Sequence, residues 1–291
     1  MPEGHTVHRS ARQLAAHLGG VPLRAASPQG RFAAGAAAVD GMVMDRAEAW
    51  GKHLLLRFDA PRGSDRYLHV HLGLYGTWLL GTGVPPEPKG ALRLRLLGPG
   101  EEPAWADLRG PTACELMDDV GRAALLARLG PDPLRPDADP ERAWDRVHRS
   151  RQPVAALLMD QSVLAGVGNV YRAEVLFRAG LAPMLPGSAL LQEDWQHLWD
   201  DLVVLMRAGV RAGHIVTTER RHRQRVSGQA RREDRFYVYR RHGLPCRLCG
   251  TPVQVAELVG RRLYWCPACQ TPEAGGVARA VARDCAGRRS A

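Results

Sequence analysis

Four cysteines near the end of the sequence constrain the fold more than any other feature. Two residues separate Cys246 from Cys249 and Cys266 from Cys269, and sixteen residues separate the two pairs. This spacing is typical of a closed, tetrahedral, structural zinc site. Two disulfide bonds are the alternative, but the first thirty residues contain no long apolar stretch of the kind that directs export, which favours a reducing compartment and a metal. We expect one structural zinc ion and no organic cofactor.

The segment between the two cysteine pairs predicts a β-hairpin. Its apolar positions favour one strand from Val255 to Leu258 and a second from Leu263 to Trp265. With this pairing, Arg261 and Arg262 would lie at or near the tip of the hairpin.

The distribution of charge predicts a polyanionic partner. The 291 residues carry a net charge of +10, and residues 211–262 contain thirteen arginines against four acidic residues, a local excess of nine. Nucleic acid is the simplest partner for such a segment, whereas the alternative, a solvated basic tail, does not account for the metal motif within it. No run of about 18 apolar residues occurs, so we expect no membrane span. A cytoplasmic, nucleoid-associated monomer is the expectation.

Lysine is rare in this chain, which draws attention to its position. The forty basic residues include two lysines, Lys52 and Lys89, and the other thirty-eight are arginines. An amine can titrate at accessible pH, whereas a guanidinium cannot. Lys52 is therefore a candidate for a residue whose amine titrates; chance retention in an arginine-rich composition is the alternative.

The first residues predict a reactive amine at the start of a helix. Removal of Met1 would expose the secondary amine of Pro2, and an α-amino group with a pKa of about 8 is partly unprotonated at neutral pH. Such an amine can form a Schiff base, and Glu3 beside it can donate a proton. Thr6 is the predicted N-cap of a helix that ends at Gly19, and the helix dipole would lower the pKa of the amine. An ordinary frayed terminus is the alternative.

The region from Val21 to Cys114 predicts a β-sandwich or barrel, because short apolar runs with period two are separated by Gly, Pro and Asp. Within it, the segment from His71 to Gly76 is a turn with Leu74 and Tyr75 at its tip. A plain hairpin tip is one interpretation. In a DNA-binding protein, an exposed apolar tip can instead wedge into the base stack.

The second half of the chain predicts helices after a Pro- and Asp-rich linker at residues 130–140. A glycine-rich turn leads to Asn169, which we expect to cap a helix and to present backbone N–H groups to a phosphate; a structural corner between helices is the alternative. The segment from Gly213 to Arg235 is too basic for a core and predicts a mobile, DNA-facing loop. The predicted helices cover residues 141–149, 153–161, 170–179 and 193–208.

Together these motifs resemble the formamidopyrimidine-DNA glycosylase and endonuclease VIII family over nearly the whole chain. The resemblance is carried by four motifs in order, which are Pro2-Glu3-Gly4, Gly51-Lys52-His53, the segment from Leu158 to Asn169, and the segment from Tyr239 through the four cysteines to Gln270.

The resemblance implies an α+β fold and a division of the chain. The expected fold has an N-terminal β-sandwich with a leading helix, a helix–two-turn–helix domain, and a C-terminal zinc-finger β-hairpin. The implied boundaries are residues 1–120 for the catalytic sandwich, 121–140 for a linker, 141–235 for the helical domain with its basic loop, 236–270 for the finger, and 271–291 for a disordered tail.

The resemblance also implies a bifunctional DNA glycosylase and abasic-site lyase that acts on damaged DNA by β,δ-elimination. Pro2 corresponds to the nucleophile that attacks C1′, and Glu3 to the acid that assists base loss. Lys52 corresponds to the proton donor in β-elimination, and Arg261 to the finger arginine linked to δ-elimination and phosphate binding. The implied DNA contacts are Leu74, Tyr75, Arg109, Arg128 and Asn169.

The start of the chain and the Leu74-Tyr75-Gly76 turn resemble the endonuclease VIII branch, which implies oxidised pyrimidines as substrates. Two positions depart from the family patterns: Gly73 replaces a glutamine, and the segment around Arg109 lacks the phenylalanine of the 8-oxoguanine branch. The alternatives are an 8-oxoguanine or formamidopyrimidine glycosylase and a non-catalytic binder of damaged DNA. A zinc-ribbon module would explain the finger but not the first 240 residues.

Overall fold

A computed structural model describes residues 2–60, 64, 66–224 and 228–271. The chain divides into two compact units, Met1–Leu129 and Gly130–Ala291. Nearly all of the predicted disordered tail lies outside the described residues. In the described ranges, no helix is both long enough and apolar enough to cross a bilayer.

The first unit is a β-sandwich that follows a leading helix, as expected. Its described strands form two antiparallel four-stranded sheets, with the orders β1-β6-β7-β5 and β2-β3-β4-β8. The helices are α1 (Gly4–Leu18), α2 (Ala33–Val39) and α3 (Asp119–Ala127). The strands are β1 (Arg24–Ala26), β2 (Met44–Trp50), β3 (His53–Phe58), β4 (Tyr67–His71), β5 (Thr77–Thr82), β6 (Leu92–Leu97), β7 (Ala104–Arg109) and β8 (Ala113–Met117).

Alternating side chains of both sheets form the core of the first unit. Leu94 and Leu96 of one sheet and Leu54 and Leu56 of the other are fully buried in the same hydrophobic cluster. Because successive side chains of a strand point to opposite faces, one row from each sheet is buried. The cluster also contains Val7, Ala11, Leu14 and Leu18 of α1.

Two features of this unit differ from the sequence-based expectations. Thr6 is not the N-cap of α1; the helix begins at Gly4, and the Glu3 carbonyl accepts the first bond, from the Thr6 amide at 2.9 Å. The helices α2 and α3 were not predicted. The alanine content of α2 favours helix, and α3, capped by the Asp118 side chain, occupies the first part of the predicted 121–140 linker.

The second unit combines four α-helices with a hairpin in its described residues. Side chains of the helices, such as Tyr171 and Trp195, share one core with Leu263 and Cys266 of the finger. The finger is therefore packed on the helices rather than suspended from them. The elements are α4 (Pro140–Val147), α5 (Val154–Leu157), α6 (Asn169–Ala179), α7 (Gln192–Ala212), β9 (Gln254–Leu258) and β10 (Arg261–Trp265).

The helix predicted for residues 153–161 is wrong over its second half, since α5 ends at Leu157. Side chains in this segment bond to nearby backbone groups instead. The Ser162 amide donates to the Asp160 carboxylate at 2.8 Å, and the Gly166 amide donates to the Gln161 side-chain oxygen at 3.0 Å. Such local bonds compete with helix continuation and form the turn before α6.

The expected cap of α6 is also displaced by one residue. Gly168 is the N-cap, with φ −126°, and Asn169 is the first residue of the helix. The Asn169 side chain is thereby released from capping and can bond elsewhere in the unit.

Candidate active site and zinc centre

The N-terminal residues lie at the start of α1. Pro2 is partly buried, and the side chain of Glu3 is 0% exposed. The positive end of the helix dipole therefore adjoins both residues. A carboxyl group excluded from water next to a prolyl residue is an arrangement suited to proton transfer.

Lys52 lies in a two-residue turn that joins β2 to β3. Gly51 takes φ +60°, a left-handed conformation that favours glycine and closes this turn. Helix α1 packs along β2 and β3, and just beyond its end the Gly20 amide bonds to Met44 at the start of β2 at 2.9 Å. The end of α1 therefore lies by the start of β2. Because a helix of 15 residues and a strand of 7 each span about 20 Å, the start of α1 lies near the end of β2, toward the Lys52 turn.

A cluster of three histidines and a glutamate that was not predicted from the sequence adjoins this turn. His53 Nδ1 and His69 Nε2 are 2.9 Å apart, and His69 Nδ1 lies 2.9 Å from a carboxylate oxygen of Glu115. The His53 and His71 rings lie 5.1 Å apart between centroids. The i, i+2 spacing of His69 and His71 was the available signal, because it places both on one face of a strand. Below, the histidine cluster denotes His53, His69, His71 and Glu115.

Burial and nearby charge depress the basicity of this cluster. Desolvation, followed by the charges of His69 and His71, lowers the pKa of His53 to about 3. Arg128 and Lys52 contribute in the same direction. Burial, with the charges of His69 and Lys52, also lowers the pKa of His71. Arg128, predicted to contact DNA, therefore acts on the same group as Lys52.

The turn with the exposed apolar tip joins the two sheets, because β4 and β5 belong to different sheets; it is not a plain hairpin tip. Leu74 is 44% and Tyr75 is 87% exposed. Gly73 takes φ +65°, and a Cβ at this position would lie 1.8 Å from Thr112 Oγ1. Glycine is required here both by the backbone and by its neighbour.

Arg109 lies beside this tip at the end of β7. The next residue, Gly110, approaches the Tyr75 carbonyl, since a Cβ there would lie 3.7 Å from that oxygen. Asp107 is fully buried and accepts bonds from Arg95 at 2.7 Å and from Arg109 at 3.4 Å. The first unit thus brings Leu74, Tyr75 and Arg109 together on one edge.

In the second unit, Asn169 is joined to the finger. Its side-chain amide donates to the Arg262 carbonyl at 2.9 Å, and its side-chain oxygen accepts from Arg172. The buried Arg172 guanidinium also donates to the Arg262 carbonyl, at 3.2 Å. Arg261 is adjacent to this bonded carbonyl and begins β10, directly after the Val259–Gly260 turn. Asn169 and Arg261 therefore lie close together, and the part played by Arg172 was not predicted from the sequence.

Both sides of the predicted basic loop, residues 213–235, are bonded to Glu174 of α6. The buried Glu174 carboxylate accepts bonds from the Thr217 hydroxyl and from the amides of Tyr237, Val238 and Tyr239, the latter three at 2.8 Å. Residues 225–227 lie outside the described residues.

The four cysteines of the finger form a metal site. Their sulfur atoms all lie within 4.8 Å of one another, and individual pairs are 3.5–3.9 Å apart. Tetrahedral Zn²⁺ with Zn–S bonds of about 2.3 Å requires sulfur separations of about 3.8 Å, whereas a disulfide requires about 2.05 Å. The donor set therefore fits a structural zinc ion and not two disulfides. Strands β9 and β10 connect the two cysteine pairs, as predicted.

Comparison with known protein families covers both units. Residues 1–114 match the formamidopyrimidine-DNA glycosylase N-terminal domain, and residues 129–221 match the H2TH domain of the same glycosylase. Residues 243–272 match a zinc finger found in FPG and IleRS. The zinc ion expected from the cysteine spacing is thus supported by both family and geometry.

Among curated proteins, the chain is similar to Endonuclease 8 1 of Mycobacterium tuberculosis, with 49% identity over 275 residues that cover 93% of this chain and 100% of the relative. Among solved structures, it resembles the MutM (Fpg) protein of Thermus thermophilus, with a TM-score of 0.69, 30% identity and coverage of 92% and 98% of the two chains. The Lactococcus lactis Fpg in complex with DNA containing an abasic site shares the fold, with a TM-score of 0.72, 20% identity and coverage of 92% and 99%.

Proposed function

This chain belongs to the formamidopyrimidine-DNA glycosylase and endonuclease VIII family, in its endonuclease VIII-like branch, and we propose that it removes oxidised pyrimidines from DNA through a Schiff base on Pro2. Its homologues are DNA glycosylases with abasic-site lyase activity, and the chain is such an enzyme of base excision repair. The observation that carries the proposal is the position of Pro2 directly before α1, next to the fully buried Glu3.

The first step is attack by the amine. Once Met1 is removed, the nitrogen of Pro2 attacks C1′ of the damaged nucleotide, and the bond from C1′ to the base breaks. Glu3 donates the proton that assists base loss and opening of the sugar ring. The product is an iminium ion between Pro2 and C1′, which acidifies the hydrogens at C2′.

Strand scission follows by two eliminations. When a base removes a C2′ proton, a C2′–C3′ double bond forms, the C3′–O bond breaks and the 3′ phosphate leaves, with Lys52 as the proton donor of this β-elimination. The δ-elimination then expels the 5′ phosphate, and we assign its phosphate contact to Arg261 of the finger. Asn169 is held against the residue that follows Arg261, which supports a shared phosphate-binding role for the two side chains.

The exposed tip supports a role in filling the space left by an extruded base. Leu74 and Tyr75 are exposed, and Arg109, which is partly exposed and bonded to Asp107, ends the neighbouring strand β7. Extrusion of the damaged nucleotide costs stacking energy, which inserted side chains partly replace. We assign Arg128 to the DNA backbone, because its charge acts on His53, as that of Lys52 does.

The choice of oxidised pyrimidines rests on the relatives. Identity to Endonuclease 8 1 is 49%, compared with 30% to the MutM structure. We further propose that damaged DNA is bound by a monomer in the nucleoid. A cleavage panel of oligonucleotides containing thymine glycol, dihydrouracil, 8-oxoguanine or an abasic site tests this choice; preferential cleavage of 8-oxoguanine would contradict it.

Borohydride trapping tests the nucleophile. The wild-type protein is expected to form a covalent complex with abasic-site DNA under borohydride, and Pro2→Gly with an N-terminal extension is expected to lose it. An undiminished band in the extended variant would refute the assignment of Pro2. The nicked product is expected to carry phosphate at both ends of the gap; ends with an unsaturated sugar would contradict δ-elimination and the role of Arg261.

A further inference from the structure

The histidine cluster beside Lys52 has no part in the mechanism above. Its members come from three neighbouring strands, because His53 pairs with His71 across β3 and β4, and His69 pairs with Glu115 across β4 and β8. Their side chains share the face of the sheet that points away from the sandwich core. His69 is buried, whereas His53 and His71 are partly exposed and the Glu115 side chain is 59% exposed.

The hydrogen bonds of the cluster have a defined direction. An ionised Glu115 can only accept, so His69 donates from Nδ1 and is left with a lone pair on Nε2. That lone pair accepts from His53 Nδ1, so His53 Nε2 also carries a lone pair. One end of this hydrogen-bonded row is thus the exposed carboxylate of Glu115. The other end is His53 Nε2, a hydrogen-bond acceptor next to Lys52.

The surroundings of His53 are cationic. The charged or titratable groups that act on it are His69 and His71 of β4, Lys52 in the preceding turn, and Arg128 after α3. On β2, Glu48 is bonded to Arg122 at 2.6 Å, so its charge is already compensated. Two cations, Lys52 and Arg128, therefore act on one partly exposed ring, which favours an anion there, and DNA phosphates are the anions that the proposed function brings to Lys52.

We propose that His53 is a phosphate-binding residue of the DNA site and that His69 and Glu115 are positioning residues that relay a proton to it. The inference rests on the proposed function, because it requires DNA at Lys52. A phosphate oxygen accepts hydrogen bonds, so it can bind His53 Nε2 only when that nitrogen bears a hydrogen. Binding of the phosphate is therefore coupled to uptake of a proton from water.

The hydrogen-bonded row of Glu115, His69 and His53 can hold this added proton in three ways. The proton binds His53 Nε2 and remains there as an imidazolium, or the Nδ1 proton of His53 passes to Nε2 of His69. In the third arrangement, the Nδ1 proton of His69 also passes to the Glu115 carboxylate, and both imidazoles are neutral. Each arrangement contains one added proton and an N–H at His53 Nε2. The proton uptake is therefore a property of the three coupled side chains together and not of any one of them.

Burial of His53 disfavours the first arrangement. Burial opposes a charged His53, whose pKa lies near 3 in the DNA-free protein. Transfer of the proton along the hydrogen bonds thus lets the partly exposed ring of His53 donate a hydrogen bond without itself holding the charge.

Calorimetry of DNA binding tests the coupling. Duplex DNA with a tetrahydrofuran abasic analogue is titrated at about pH 6.5 in buffers of different ionisation enthalpy, which reports the protons taken up. For each DNA duplex bound, the wild type is expected to take up about one more proton than Glu115→Gln or His53→Gln. Glu115→Gln is the sharper variant, because its amide oxygen still accepts from His69 but cannot take the relayed proton, and its exposed position spares the fold.

Two matched variants serve as controls. Glu102→Gln removes an exposed carboxylate, and His17→Gln removes a histidine that bonds to Gly81 in the other sheet. Both are expected to show wild-type uptake. Equal uptake by the wild type, Glu115→Gln and His53→Gln would overturn the proposal. Failure of the wild type to bind the analogue or to form the borohydride-trapped complex would instead count against the proposed function.

Discussion

The side chain of Asn169 holds the backbone carbonyl of Arg262, with 2.9 Å between the amide nitrogen and the oxygen. The first turn of α6 is therefore attached to the strand of the finger that begins with Arg261. Since Arg172 bonds to both groups, the contact is a buried three-way junction between a helix and the zinc finger. An asparagine proposed to contact phosphate thus also positions the finger.

We expect Asn169→Ala to weaken this junction. The Arg262 carbonyl and the buried Arg172 guanidinium lose a partner, which is expected to destabilise the second unit by about 2 kcal/mol. Urea unfolding measures the change, and Gln254→Ala, at an exposed position of β9, is the control. Unfolding midpoints equal to that of the control would show that the junction contributes nothing to stability.

Gly73→Ala tests why glycine occupies the base of the exposed tip. A Cβ would meet Thr112 Oγ1 at 1.8 Å in a backbone with φ +65°, so we expect a loss of about 2–4 kcal/mol. Gly83→Ala is the matched control, because φ is +76° there and nothing lies within 4 Å of the added atom. The double variant with Thr112→Gly should recover part of the loss; strict additivity in urea unfolding would contradict the steric explanation.

Lys52→Arg separates charge from proton donation. The positive charge is retained but the guanidinium cannot release its proton, so we expect abasic-site cleavage to fall by about 10²-fold while borohydride trapping persists. Lys89→Arg changes the other lysine, which is exposed, and is expected to behave as wild type. Single-turnover cleavage assays measure both. A wild-type rate for Lys52→Arg would remove the proton-donor role.

The depressed pKa of His53 predicts acid sensitivity of the first unit. Its folded-state pKa of about 3 lies below the ordinary value of 6.5, so the unfolded chain binds more protons between these two values. The stability contributed by neutral His53 is fully present above pH 6.5 and is lost as pH falls toward 3. Thermal unfolding between about pH 5 and 7 should show a smaller pH dependence for His53→Gln than for wild type or His17→Gln.

Loss of zinc is expected to unfold the finger. Cys249→Ser removes one of four thiolate ligands, and structural zinc sites contribute folding energy directly. Metal analysis should then find less than one zinc ion per chain, and DNA binding should weaken. Cys114→Ala is the control, because burial raises the pKa of this thiol to about 12 and it lies on a strand of the first unit. Full zinc occupancy in Cys249→Ser would contradict the four-cysteine site.

Features encoded by residues close together in the chain could be predicted from the sequence. The cysteine spacing indicates the zinc site, because each pair lies on one turn and the hairpin between them is short. Period-two apolar runs predict strands such as β6, since alternate burial is a property of each strand alone. Where several local signals compete, as at Thr6 and at the end of α5, the predicted helix boundaries were wrong.

The tertiary structure decided which distant residues meet. Glu115 and His69 are 46 positions apart and Asn169 and Arg262 are 93 apart, and no periodicity links such pairs. The first contact depends on strand register in the first unit, and the second depends on packing of the finger against α6. Each is set by burial of the apolar core of its own unit. The amino-acid sequence by itself determined the zinc ligands, the sandwich strands and the reactive candidates Pro2, Glu3 and Lys52. The hydrogen bonds of the histidine cluster beside Lys52 and the bond from Asn169 to the Arg262 carbonyl exist only in the folded chain. They require groups from separate elements at hydrogen-bonding distance.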